Sequence, residues 1–378
     1  MNPKPSATKK NNKKILFFNS HKAWGGGEKW HVDMAQLVAR EGYDVVVAAH
    51  PGGELARRSR SAGLSLVEIA IGNLSFLNPF KHFLLYRLFR RANIDCIILN
   101  LPADLKTAGV VAWLAGIRRI IYRRGSAIAV RNTWLNRFLF RTVLTDVIAN
   151  SEETKRTVLA NNRSLIPEEK IHVIYNGINL SSFDVQTKTT IDLRHGAEVV
   201  LGHVGRLSYE KNQKFLIDVV HYLKLKGESI RLFIVGEGGL EVELKRYAAD
   251  LGVAEEVVFS GFCDEVAGFL TEIDMFLLSS HWEGFGYVLV EAMAAAKPVV
   301  AFNSSSTPEV VQDGITGFLV PAGDLDLFVQ RVIDLANNEK LKKTMGQAGR
   351  NRVEQMFTTE IALQKFCRLI NSPLKQHF

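Results

Sequence analysis

Residues 198–213 read EVVLGHVGRLSYEKNQ. The first seven form an apolar run without polar alternation, the pattern of a strand covered on both faces. Gly205 ends that run, and helical periodicity begins near Gln213. A strand, a short basic loop and a helix follow one another. At such a junction free backbone N–H groups and the positive end of the helix dipole face outward, which is where an anion sits. Arg206 offers a planar guanidinium that can grip two phosphate oxygens, and Lys211 adds a compact charge. On this stretch alone a solvated basic loop reads equally well.

The same alternation extends in both directions. Downstream, 231–235 (RLFIV), 257–260 (VVFS), 275–279 (MFLLS), 298–302 (PVVAF) and 317–320 (GFLV) read as strands. Upstream, 14–19 (KILFFN), 43–50, 64–71, 94–100 (IDCIILN), 119–122 (RIIY) and 146–150 (DVIAN) do the same. Strands alternating with helices imply parallel sheets. The polar, aperiodic segment 184–196 (DVQTKTTIDLRHG) separates two such sets. The predicted organisation is a basic, disordered leader (1–13), a Rossmann-like domain (14–184), a linker (185–197), a second Rossmann-like domain (198–356) and a closing helix (357–378). Two doubly wound α/β sheets facing each other leave a cleft outside their strand C-termini, where ligands bind. In the closing helix, Leu363, Phe366, Cys367 and Ile370 share a face that needs an apolar surface to cover.

Composition narrows the function. The 378 residues are 47% hydrophobic and 23% charged, ordinary for a folded protein. A net charge of +8 favours anionic partners: nucleic acid, phosphorylated small molecules or an anionic membrane surface. No stripe of basic and stacking aromatic residues with a recognisable module supports nucleic acid. Three widely spaced cysteines exclude a zinc ribbon or redox dithiol and fit a reducing cytoplasm. The leader lacks the apolar core of a signal peptide, and no apolar run approaches the ~20 residues of a membrane span. Two segments, 76–91 (FLNPFKHFLLYRLFRR) and 132–141 (NTWLNRFLFR), mix aromatic and basic residues. They read as core helices with solvated ends or as helices that lie in a membrane interface.

A second chemical motif follows the strand MFLLS: Glu283, Gly284, Phe285 and Gly286, then a helix bearing Glu291. Glycines let a ligand approach the backbone. A carboxylate accepts from a vicinal diol, as acidic residues do when they read ribose. Glu291 suits ribose and Glu283 the hydroxyls of a transferred sugar. A single helix-terminus carboxylate would account for one glutamate, not both.

In this order and spacing, GRLSYEKN and EGFGYVLVE resemble family 4 of the glycosyltransferases, which has the GT-B fold. SEETKR (151–156), VIYNGIN (173–179), VGEG (235–238), FSGF (259–262) and DGITGFLVP (313–321) match in sequence as well. The resemblance implies retaining transfer from a nucleotide-sugar donor to a glycan or lipid-linked acceptor, without a metal or other cofactor. It assigns the diphosphate to Arg206 and Lys211, the ribose to Glu291, and the donor sugar to Glu283 and the backbone of Gly284–Gly286. Gly236 and Phe262 would frame the nucleoside. It also implies that the last helix crosses back to the N-terminal domain. The loop of Gly26 and Gly27 would contact donor phosphate or acceptor, the alternative being a tight turn with no ligand. Many members carry a histidine after the strand matching RIIY. Here Arg123 and Arg124 stand instead, and they become acceptor or phosphate candidates together with Asp104. Envelope polysaccharide or lipopolysaccharide synthesis at the inner face of the cytoplasmic membrane is the expected setting. A nucleotide-sugar epimerase of the same fold and a non-catalytic carbohydrate-binding homologue are the alternatives.

Overall fold

The computed structural model describes residues 13–184 and 193–374. The predicted leader, except Lys13, and most of the predicted linker lie outside the described residues. The described residues form two compact units, 13–176 with 359–374, and those of 177–358. Residues 177–184, expected in the first domain, therefore fall in the second unit, and 357–358 do likewise.

The first unit holds a parallel seven-stranded sheet of order β3-β2-β1-β4-β5-β6-β7. Its strands are β1 (Lys14–Asn19), β2 (Asp44–Ala49), β3 (Ser65–Glu68), β4 (Cys96–Leu99), β5 (Arg119–Arg124), β6 (Asp146–Ala149) and β7 (Ile171–Val173). Three-residue β7 escapes the sequence pattern because it is too short to show a period. Alternate residues of β1 serve two cores. Leu16 and Phe18 face one that includes Leu85, Phe89 and Leu105. Ile15 and Phe17 face the other, with Trp30 and Phe366. This two-sided burial is why the strand carries no polar alternation.

The closing helix, Thr359–Asn371, packs in that second core. Its buried residues are Ala362, Phe366, Leu369 and Ile370, while Leu363 and Cys367 are only partly buried. The apolar stripe is thus rotated slightly from the predicted one. Phe366 stacks on Phe17 (5.9 Å, 29°) and meets Trp30 edge-on (6.0 Å, 75°). Helix ends leave carbonyls without partners. Arg119 donates to Leu369 O and to Ser372 O, and Lys13 Nζ donates to Ile370 O at 3.0 Å. Cations at a helix C-terminus also suit its dipole. The return of the chain to the first unit is therefore held by packing and by capping.

The second unit repeats the winding with six strands, β10-β9-β8-β11-β12-β13. They are β8 (Val199–Val204), β9 (Ile230–Val235), β10 (Val257–Gly261), β11 (Met275–Leu278), β12 (Val299–Phe302) and β13 (Gly317–Val320). The helix after β8, Gln213–Leu225, packs Phe215 against Phe302 (4.6 Å) and Phe328 (5.3 Å). Both sheets reverse direction beside their first strand, between β1 and β4 and between β8 and β11.

Candidate active site

β8 ends at Val204, at the reversal point of the second sheet, outside which such sheets bind ligands. The loop that follows is held by its backbone. Gly205 N–H donates to Val235 O (2.9 Å) and Leu207 N–H to Glu237 O (3.0 Å). Arg206 O accepts from Gln213 Nε2 at 2.8 Å. The Arg206 side chain itself is exposed. At Gly236 and Gly238 the segment 235–238 packs too close for side chains. A Cβ on Gly236 (φ 137°) would fall 2.1 Å from Gly205 O, and one on Gly238 would fall 2.2 Å from Leu207 O. Any larger residue would push the basic loop away.

A short 3-10 turn, Tyr209–Lys211, carries Lys211 to the loop after β11. Lys211 Nζ lies 2.6 Å from Glu283 Oε1, and Ser280 Oγ donates to the same oxygen at 2.8 Å. The Glu283 carbonyl accepts from Ser305 Oγ (2.7 Å) and Ser306 Oγ (3.0 Å). The two loops are also tied by Ser279 Oγ to Asn212 O (2.8 Å) and His281 N–H to Glu210 O (2.9 Å). Glu283 is 8% exposed, and its Oε2 accepts nothing among the described residues. A buried carboxylate is held at a fixed angle by a cation and a hydroxyl, with one oxygen left over.

Gly286 takes φ 83° where the loop turns into helix Tyr287–Ala294, and Glu291 is buried on that helix. Phe285 is a core residue, packed edge-on to Phe357 (5.6 Å, 69°) and Tyr287. Only its backbone remains to face a donor. Phe262 is 55% exposed, beyond Gly261, whose carbonyl accepts from Gly236 N–H at 2.7 Å.

The other candidates belong to the first unit. Gly26 and Gly27 open helix Gly26–Arg40 after β1. Glu28 is buried there and accepts from Asn19 Nδ2 at 3.0 Å. Asp104 is fully buried and accepts from Ser20 N–H (3.2 Å), Ser20 Oγ and Leu101 N–H (3.4 Å). Burial pushes its carboxyl up to about 7. Arg123 is 1% exposed, donates to Asn100 Oδ1 (3.1 Å) and Asn176 Oδ1 (3.0 Å), and lies 4.6 Å over the Trp30 ring. Burial and the Arg123 charge drive His31 down to about 3, so that imidazole is neutral. Arg124 is half-buried and donates to Ile128 O. Ser280, Ser305, Ser306, Asn100 and Asn176 were not singled out from sequence. Serines and asparagines in loops are too common to signal a role until the fold brings them to a charge.

A pair of doubly wound units, with the final helix returned to the first and a basic loop beside a buried carboxylate in the second, defines a GT-B protein. Residues 24–182 match the family model described as Glycosyltransferase Family 4, and 187–352 match Glycosyl transferases group 1. The chain belongs to glycosyltransferase family 4. It is 31% identical over 242 residues to the capsular polysaccharide biosynthesis glycosyltransferase CapM of Staphylococcus aureus, covering 61% of this chain and 63% of that one. It is 23% identical over 350 residues to the lipopolysaccharide core biosynthesis glycosyltransferase LpsE of Rhizobium meliloti (92% and 96%). The chain spans between 49% and 63% of the length of the first three curated relatives it matches. Among solved structures, Anabaena HepE in complex with UDP superposes with a TM-score of 0.82 at 23% identity, covering 95% of this chain and 100% of that one. At that identity the likeness concerns the fold. Among the described residues no helix is long and apolar enough to cross a membrane.

Proposed function

We propose that the protein transfers a sugar, with retention, from a nucleotide-diphosphate sugar to a glycan or lipid-linked acceptor in envelope polysaccharide synthesis. The observation that carries this reading is the Lys211–Glu283 pair at the β8/β11 reversal point, with Glu283 Oε2 open beside the Arg206 loop. As the bond between the anomeric carbon and the phosphate oxygen breaks, its electron pair goes to the diphosphate. Preorganised cations stabilise that charge most where water is excluded. Lys211 has three donors, so it can hold Glu283 and a phosphate oxygen together. Arg206 supplies the second cation. Glu283 Oε2 accepts from a hydroxyl of the donor sugar, and Glu291 from the ribose. The acceptor hydroxyl bonds to the anomeric carbon from the face the diphosphate leaves and gives its proton to a leaving phosphate oxygen. No metal takes part in this scheme. HepE was solved with UDP, which makes UDP the first nucleotide to try.

The test is a thermal-shift panel with UDP, GDP, ADP and their sugar conjugates on wild type and Arg206→Ala. A ligand that binds only the native state raises the melting temperature by mass action. One nucleotide should raise it, and the variant should lose that rise. A rise unchanged in Arg206→Ala would remove the diphosphate from this loop.

A peripheral position on an anionic membrane belongs to the same proposal. On helix Pro79–Ala92 only Leu85 and Phe89 are buried, while Phe80 (67%), Phe83 (53%) and Leu84 (47%) are exposed. Trp134 (74%) is exposed as well. An aromatic face with Lys81, Arg87, Arg90 and Arg91 nearby suits a lipid interface. The protein should float with phosphatidylglycerol vesicles at low salt and be released when salt screens the attraction. Absence from the floating fraction at low salt would remove the membrane from the proposal.

A further inference from the structure

The Arg206 loop rests on two buried polar residues to which neither motif assigns a role. His203 interrupts an apolar strand and is fully buried in β8, and Gln213, 1% exposed, opens the following helix. Gln213 Nε2 lies 2.8 Å from Arg206 O and 3.3 Å from His203 Nε2. His203 Nδ1 lies 3.0 Å from Leu277 O, at the end of β11. A carbonyl only accepts, so the contact with Arg206 O requires the amide nitrogen of Gln213 there. That nitrogen also donates, so His203 Nε2 must accept. The contact with Leu277 O then requires the proton on Nδ1. The three contacts agree on one state, a neutral imidazole protonated at Nδ1. Burial, with Lys211 adding to it, holds His203 down to about 4, consistent with that state.

Gln213 Oε1 is buried without a hydrogen-bond partner among the described residues. The amide is therefore oriented through its nitrogen alone, by the histidine and the Arg206 carbonyl. A buried acceptor left unsatisfied is unfavourable, and such exceptions call for a reason. The reason offered by the geometry is the loop above. Gly205 lies directly over the imidazole, where an added Cβ would come 3.3 Å from His203 Nε2. The N–H groups of Gly205 and Leu207 are bound to Val235 and Glu237, and the Arg206 carbonyl is held by Gln213 at 2.8 Å and, at the longer distance of 3.3 Å, by Ser208 Oγ.

We propose that His203 and Gln213 are positioning residues, a neutral hydrogen-bond relay that runs from the end of β11 to the Arg206 peptide and aims the guanidinium at the donor diphosphate. The proposal rests on the reading of Arg206 as a diphosphate ligand.

The experiment is a double-mutant cycle on UDP affinity by calorimetry, with Arg206→Ala, Gln213→Met and the double variant in the full chain. Gln213→Met keeps the volume and removes the donor. It should weaken UDP binding about tenfold in the native background, the scale of one lost hydrogen bond to a binding group. In the Arg206→Ala background it should change affinity less than about twofold, because coupled residues are not additive. Equal effects in both backgrounds would overturn the relay and leave Gln213 a structural residue. No effect of Arg206→Ala itself would instead refute the underlying site reading. Nitrogen-15 shifts of His203 give a second measurement that does not depend on the variants folding. They should report the Nδ1–H neutral tautomer throughout pH 6–8, and an Nε2–H tautomer or a cation would overturn the proposal.

Discussion

In the first sheet β1 lies between β2 and β4, and in the second β8 lies between β9 and β11. The winding is the same, but the groups at the two reversal points differ. In the second unit, charges stand ready for a ligand: Arg206 is exposed, and Glu283 keeps an open oxygen beside Lys211. In the first unit the polar groups face one another. Arg123 is spent on two asparagines and an indole, and Asp104 on Ser20 and Leu101. One frame thus carries two kinds of polar cluster, an open one that suits a diphosphate and an inward one that shapes loops. The difference lies in a few residues at strand ends, which is where function resides in folds of this kind.

The largest expected effect separates the units by stability. Phe366→Ala removes the ring that stacks on Phe17 and meets Trp30 edge-on, and a cavity of that kind costs about 3–5 kcal/mol. Hydrogen exchange should accelerate in β1, β2 and β4 and stay unchanged in β8 and β11. Equal acceleration in both sheets would mean that the two units unfold as one.

Next comes a test of the open cluster. Lys211→Met should lower turnover by about 10²–10³, as for removal of one preorganised donor to a developing anion. Exchange in the first sheet should not move. A loss of less than about tenfold would take Lys211 out of the leaving-group role. In the same assay a chelator should leave wild-type turnover intact, because the scheme uses cationic side chains in place of a metal.

The sequence singled out charged residues of both clusters, Arg206, Lys211 and Glu283 in one and Arg123 and Asp104 in the other, but not how they pair. Arg206 and Lys211 sit in a loop between an apolar strand and a helix, a place that suits an anion but also fits a solvated basic loop, and Lys211 and Glu283 are 72 positions apart, so their pairing too came only with the fold. Most strands were legible, since burial on both faces leaves runs such as 14–19 unbroken. The inward cluster depends on tertiary distance. Arg123 and Asn176 are 53 positions apart and Ser20 and Asp104 are 84 apart, so only folding shows that they are partners. Arg123 was expected to face a ligand, and the strand alternation of β5 turns it under Trp30 instead. Phe285, counted with the donor site from its motif, is held in the core by Phe357. The histidine of GHVGR was the one unread local signal, a polar residue inside an otherwise apolar strand.

The smallest effect is a difference in pH response. His203 and His31 stay neutral in the fold, at about 4 and about 3, against an ordinary value of 6.5. Above pH 6.5 neither folded nor unfolded chain binds the proton, and stability is unaffected. As the pH falls below 6.5 the unfolded chain takes up a proton that the native state refuses, so each unit loses stability toward acid. Asp104 acts in the opposite sense. Its folded value of about 7 lies above the ordinary 3.8, so its contribution is full below pH 3.8 and lost as the pH rises through 7. Between pH 7.5 and 5 the first unit therefore gains from Asp104 at least as much as it loses at His31, while the second has only the loss at His203. Exchange free energies in β1 and β4 should hold level or rise slightly over that interval, while those in β8 and β11 fall. Asp104→Asn keeps the shape and removes the titration, and it should make the first unit decline as steeply as the second. Parallel declines in the wild type would mean that Asp104 ionises normally despite its burial, and that the inward cluster is wetter than its packing indicates.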